Sequence, residues 1–316
     1  MNSIDLQIQS TASDGTHTPA EIVAMAKGAG VSTLALTDHD TVAGVAEAIA
    51  AGAEQSVRVI AGIEMSVEEH GLHILGYGID YTQPALLEKL EEFKQGRMDG
   101  AKHMAENLKN FGFVIEWEDV LKQATGSVIA RPHLARAVLS HPENKEKLQG
   151  AATVHEFIEK FLTDDNPNYV HRAHILAKDA IALINHAGGV AVWSHPAIHF
   201  RNDYDALEEM LKKLIAWGIE GVEVCNPSHT EDDVEYMESM AAKYNLLRTA
   251  GSDFHDAGNH RRGDNGLHSA DFIGDYETYG FATDDIVARL DEAIARERDT
   301  FEKNPVTPSS SEESRD

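Results

Sequence analysis

One cysteine, Cys225, stands in 316 residues, so no disulfide can form within the chain. Basic residues are also scarce. Lys and Arg number 27 against 53 Asp and Glu, a formal net charge of −26 at pH 7. A surface that acidic repels polyanions, which argues against broad contact with nucleic-acid backbone. Small phosphorylated ligands stay admissible where bound cations reverse the local field. Long apolar runs are missing: no stretch approaches the ~18 residues of a spanning helix. The first ten residues carry Asp5 and no apolar core of a secretory leader. These absences lead us to expect a cytoplasmic protein without membrane contact.

What is present is a core-building share of apolar residues, 42%, and 17 histidines. The histidines matter by position. The run Val31 to Asp40, VSTLALTDHD, begins as a β-branched apolar strand and ends in Asp38, His39 and Asp40. Other strand-like runs end in the same way, at Glu64 (GIE), His73 (GLHIL), His195 (AVWSHP), and Asp253 with His255 (GSDFH). Buried strands that carry ionisable groups at their ends are how α/β enzymes build sites.

The chain alternates strand and helix to about residue 83 and again from about 175. Pro19 to Lys27 reads as a helix capped by Thr18, and Val42 to Ala53 as another. Glu64 to Val67 and Leu72 to Tyr77 read as a hairpin through Glu69-His70-Gly71. Residues 84–174 show helical periodicity and no strand, as a helical insertion would. A final helix is expected over Thr283 to Arg296, and 302–316 as a polar, disordered tail. The alternation predicts an α/β fold with a parallel, barrel-like sheet.

Each motif has a plainer reading. Asp40 could cap a helix, while Asp38 or Asp40 could ligate a metal or orient His39. Ser13-Asp14-Gly15 alone is an ordinary turn. His73, between Leu72 and Ile74, could be a core histidine. Glu64 would be costly to bury unless cations accompany it. Asp253 and His255 are two apart, so an extended segment puts both on one side.

In order along the chain, SDGTHTPAEIVAMAKGAGVSTLALTDHDTVAG, IAGIEMS, GLHILGYGID, IARPHLARAV, VWSHP and GSDFH resemble the PHP (polymerase and histidinol phosphatase) superfamily, over residues 3 to 258. Within it the chain looks most like stand-alone bacterial phosphoesterases of nucleoside 3′,5′-bisphosphates or short oligoribonucleotides. The resemblance implies a distorted (β/α)7 barrel with a helical insertion, and two or three divalent ions (manganese, magnesium, iron or zinc). It implies that Glu64 bridges two ions, that His73 and His195 complete one site, and that Asp14, His39 and His255 hold another ion. Asp253 would share the remaining site with two first-strand histidines.

Here the chain departs from that pattern, because Gln7 and Gln9 stand where those histidines would. Two amides with Glu64 and Asp253 make an all-oxygen site, suited to a harder ion, or a pocket that stays vacant. The resemblance further directs Arg131 and His133 toward substrate phosphate. Asn226, Ser228 and His229 follow another strand end and could line the pocket, and His133 or His229 could protonate a leaving oxygen. His171, Arg172 and His174 could add phosphate contacts. The expected activity is hydrolysis of a small nucleotide's phosphate monoester, giving a nucleoside monophosphate and phosphate. Two alternatives stay open: 5′–3′ trimming of short RNA by the same centre, and a metal-poor binding or regulatory module.

Overall fold

The computed structural model describes residues 2–124, 129–163, 166–170, 175–256 and 270–303. Seven strands make one sheet in sequence order: β1 (Ile4–Asp5), β2 (Thr33–Leu36), β3 (Arg58–Ser66), β4 (His73–Tyr77), β5 (Val190–Trp193), β6 (Gly221–Cys225) and β7 (Leu247–Ala250). Neighbours run parallel except at β4, which is antiparallel to both β3 and β5. The sheet all but closes on itself. Leu6 N–H donates to the Ala250 carbonyl at 3.0 Å, and Ile8 pairs with Phe254 in parallel. The result is a mixed, nearly closed seven-stranded α/β barrel, distorted from the expected parallel sheet by its one reversed strand.

Closure depends on a missing side chain. A Cβ on Gly251, just past β7, would lie 2.5 Å from the Gln7 Cβ and 2.6 Å from its backbone nitrogen. Only glycine lets the first and last strands approach this closely.

Local chemistry explains the flanking helices. α1 (Pro19–Ala29) starts with Pro19 after an N-cap Thr18 that forms a capping box with Glu21, and ends at Gly30 with φ +82°. α2 spans Val45–Gln55 and is preceded by Gly44, so Asp40 does not cap it. Asp40 has φ +52°, accepts the Ser66 N–H at 2.9 Å and pairs with Arg97. β3 is a single strand that continues into the expected hairpin.

After β4 come α3 (Pro84–Phe111), α4 (Trp117–Gln123), α5 (Arg131–Leu139) and α6 (Val154–Phe161). They enclose their own apolar core, which includes Met104, Leu108, Phe113, Leu134, Phe157 and Phe161. α3 is one unbroken helix of 28 residues, and Arg97 on it reaches back to the barrel. The barrel resumes with α7 (Ala177–His186), α8 (Tyr204–Ala216) and α9 (Glu231–Tyr244). α10 covers Ile286–Lys303, later at both ends than expected and two residues into the segment read as tail. Residues 304–316, and His171, Arg172 and His174, lie outside the described residues. Among the described residues no helix is long and apolar enough to cross a membrane.

Candidate metal centre

Parallel barrel strands present their C-terminal ends at one rim. Gln7 and Gln9 follow β1, His39 follows β2, Glu64 lies near the end of β3, and His195, Asn226 and Asp253 follow β5, β6 and β7. β4 runs the other way, so its first residue, His73, reaches the same rim. The reversal that distorts the barrel is therefore what brings this imidazole to the others.

Glu64 is fully buried at the middle. Its Oε1 lies 3.0 Å from His73 Nδ1 and 3.2 Å from His195 Nε2, and those two nitrogens are 3.3 Å apart. On the other oxygen, Oε2 is 3.7 Å from His39 Nε2. Burial pushes the Glu64 carboxyl up, but the imidazoles and their hydrogen bonds outweigh it and hold it well below its usual range. Burial pulls His39 down to about 3 and lowers His195. Both rings are therefore neutral near pH 7, with lone pairs to offer.

Two groups of side chains bring one donor atom each to within 4.8 Å of one another: Asp14, His39 and His255; and His39, Glu64 and His73. His195 joins the second through the contacts above. In the first, His255 Nδ1–H donates to the Asp253 carbonyl at 2.7 Å, which leaves Nε2 facing Asp14 Oδ1 at 3.5 Å. The Asp253 carboxylate sits beside this ring, 3.7 Å from Nδ1. Two further nitrogens, His39 Nδ1 and His195 Nδ1, are buried with no hydrogen-bond partner among the described residues. Imidazole nitrogens converging on an ionised carboxylate are placed to turn lone pairs toward a shared cation in place of the hydrogens they offer the carboxylate without one. An imidazole–carboxylate set of this kind fits a divalent transition ion such as manganese, iron or zinc.

The remaining expected residues divide. Gln7 and Gln9 are fully buried beside Glu64, and each amide donates to it, at 3.1 and 2.6 Å. His133 is buried near Asp14; burial pulls its pKa down to about 4, with Arg136 adding to the shift and Asp14 opposing it. Its Nδ1 accepts the Ala130 N–H at 2.9 Å, so Nε2 carries the hydrogen. His229 has the opposite tautomer. Its Nδ1–H donates to the Val224 carbonyl at 2.8 Å, and burial holds the ring down at about 4. His229 Nε2 is thus an acceptor at neutral pH and lacks a proton to give. Arg131 lies over the Tyr169 ring at 5.2 Å and donates to the Leu162 carbonyl at 3.3 Å.

Several contributors escape a motif reading. Ser194 donates to Glu64 Oε1 at 3.0 Å. Buried Glu223, pushed up by burial, accepts the His195 N–H at 2.9 Å and so holds that residue at φ +30°. Its signal was available, since a carboxylate inside the apolar strand GVEVC poses the same puzzle as Glu64. Asp38 does not approach the imidazoles as a ligand. It gathers the Ser10 N–H and hydroxyl and the Ser13 hydroxyl at 2.7–2.8 Å, which positions the loop bearing Asp14.

Comparison with known proteins agrees with this fold. A PHP domain model matches residues 5–224. A 3′,5′-nucleoside bisphosphate phosphatase of Chromobacterium violaceum is 35% identical over 265 residues, 82% of this chain and 89% of its own. A 5′-3′ exoribonuclease of Haemophilus influenzae is 33% identical over 257 residues, 79% of this chain and 89% of its own. A crystal structure from Bifidobacterium adolescentis, assigned as a metal-dependent phosphoesterase, superposes with a TM-score of 0.73 at 26% identity, covering 92% of this chain and 96% of that one. By its barrel, by the carboxylate and histidines gathered at one rim, and by sequence over most of its length, this chain belongs to the PHP domain family.

Proposed function

We propose that this metal-dependent hydrolase of phosphoric esters acts on a nucleoside 3′,5′-bisphosphate, releasing one phosphate and leaving a nucleoside monophosphate. The carrying observation is the convergence of His73 Nδ1, His195 Nε2 and Glu64 Oε1 within 3.3 Å of one another. Glu64, His73, His195 and His39 would hold one divalent ion, and Asp14, His39, His255 and Asp253 the region of another. Such an ion, when bound, supplies Lewis acidity toward phosphoryl oxygens and makes water a stronger acid.

The chain's own groups support the rest. In the hydrolysis, water oxygen bonds to phosphorus, the ester P–O bond breaks, and the leaving oxygen takes up a proton. Neutral His133 offers an Nε2–H as hydrogen-bond donor near Asp14, suited to a phosphate or leaving oxygen. His229 enters as an acceptor, and Asn226 as a neighbour of Gln7. We further propose that 1–83 and 175–300 form the catalytic barrel and 84–174 an insertion over it, with Arg131 directed to phosphate on substrate binding.

The test is phosphate release with manganese from 3′-phosphoadenosine 5′-phosphate, adenosine monophosphate and a 5′-phosphorylated oligoribonucleotide. The bisphosphate should be cleaved at least tenfold faster than the monophosphate, and His195→Ala should abolish release. No release from the bisphosphate with any divalent ion would overturn the proposal. RNA trimming is the second reading, favoured by the likeness to the Haemophilus enzyme. The net charge of −26 weighs against an extended RNA track. Stepwise loss of nucleotides at moderate salt would favour it.

A further inference from the structure

Two buried glutamines flank Glu64, and backbone N–H groups, which can only donate, fix how each is turned. Ser228 N–H donates to Asn226 Oδ1 at 2.9 Å. The other end of Asn226 is then its NH2 group, whose two hydrogens go to Glu223 Oε2 and Gln7 Oε1, each at 3.1 Å. Gln7 therefore turns its oxygen toward Asn226. Its nitrogen points to Glu64 Oε1 at 3.1 Å and Ser194 Oγ at 2.9 Å. Independently, His39 N–H donates to Gln9 Oε1 at 3.0 Å, which turns the Gln9 nitrogen to Glu64 Oε2 at 2.6 Å. Flipping either amide would set oxygen against a carboxylate oxygen and NH2 against another donor, with Gln7, Gln9, Glu64 and Asn226 all buried.

An amide nitrogen has no lone pair for a cation. The ion that the family resemblance puts among Gln7, Gln9, Glu64 and Asp253 therefore does not fit the residues present. We infer that Gln7 and Gln9 replace that ion with a pair of hydrogen bonds that clamp Glu64, so the centre takes at most two divalent ions per chain. Both glutamines are positioning residues, acting on the reaction only through the carboxylate they hold. Each Glu64 oxygen keeps one amide donor. Its orientation is thus set before any ion arrives, and no further charge is brought into the pocket. The inference rests on the metal centre proposed above and not on the choice of substrate.

The experiment is metal content. Native protein is dialysed to equilibrium against manganese, and bound ion is measured by elemental analysis beside Gln7→His/Gln9→His and Gln9→Met. The native chain should hold no more than two equivalents, and the double histidine variant should gain one. Gln9→Met keeps the shape and removes the donor. It should leave the count unchanged while weakening manganese binding about tenfold, the scale of losing an outer partner of a ligand. Three equivalents on the native protein, or a whole equivalent lost in Gln9→Met, would overturn the inference, and the latter reading stands even if the double variant does not fold. Two bound ions with no cleavage of the bisphosphate would sink the substrate proposal alone.

Discussion

His73 Nδ1 and His195 Nε2 face each other across 3.3 Å, one at the start of β4 and the other just past the end of the adjacent, oppositely directed β5. One shared hydrogen can bridge the two neutral rings, but only a proton or a cation between them uses the lone pairs of both nitrogens at once. Burial resists protonating His195, so a cation is the favoured resolution. Chelation should therefore lower the melting temperature as well as stop phosphate release. His195→Ala should cost about a hundredfold or more in activity, beyond the usual loss for an outer-shell partner. Thermal unfolding with and without chelator, beside a phosphate assay, checks both. A melting temperature indifferent to chelator would count against the centre.

Arg97 links the helical segment to the barrel. It pairs with Asp40 and donates to Ser66 Oγ at 2.9 Å, and both members of the ion pair are buried. Removing one partner strands the other charge. Arg97→Met should destabilise the chain by about 3 kcal/mol. It should also weaken manganese binding, because Asp40 sits next to His39. Denaturant titration and a binding isotherm measure the two effects.

Gly251→Ala tests the barrel seam. The added methyl meets Gln7 Cβ and its backbone nitrogen. We expect a loss of about 1–3 kcal/mol, the usual scale of overpacking. Any shift of Gln7 would loosen Glu64, so metal affinity should fall in parallel. An alanine variant of native stability would show that the seam has room to spare.

Acid sensitivity follows from buried neutral histidines. Burial pulls His133 down to about 4 from an ordinary value near 6.5. A depressed group contributes stability that is complete above pH 6.5 and is lost as pH falls toward 4. Within that window one such site adds a slope of up to about 1.4 kcal/mol per pH unit. Asp5 and Asp38, raised to about 6 by burial, act in the other direction, with stability present at low pH and lost as pH rises through 6. The wild-type slope is thus a difference. Comparing metal-free wild type with His133→Gln by denaturation at pH 4.5, 5.5 and 6.5 isolates the histidine, and the variant should lose less stability on acidification.

Much of this arrangement could be read along the chain. Apolar runs ending in His39, Glu64, His195 and Asp253 marked strand ends that converge, because a barrel must gather its strand termini at one rim. Thr18 and Pro19 announced α1, since an N-cap followed by a first-turn proline is local chemistry. Asp40 shows the limit. A helix N-cap and a partner for Arg97, 57 residues away, are indistinguishable until the fold brings α3 across. Glu223 and Ser194 escaped notice for a related reason: each acts on a neighbour from another strand.

By itself, the sequence determined which atoms could meet a cation: the imidazoles, carboxylates and amides are covalent facts, and their order along alternating strands and helices dictates a barrel. Only the tertiary structure decided which end of each amide faces Glu64. That orientation is set by the N–H groups of Ser228 and His39, distant in the chain from Gln7 and Gln9, and a side-chain amide has no orientation of its own until such a donor is fixed beside it.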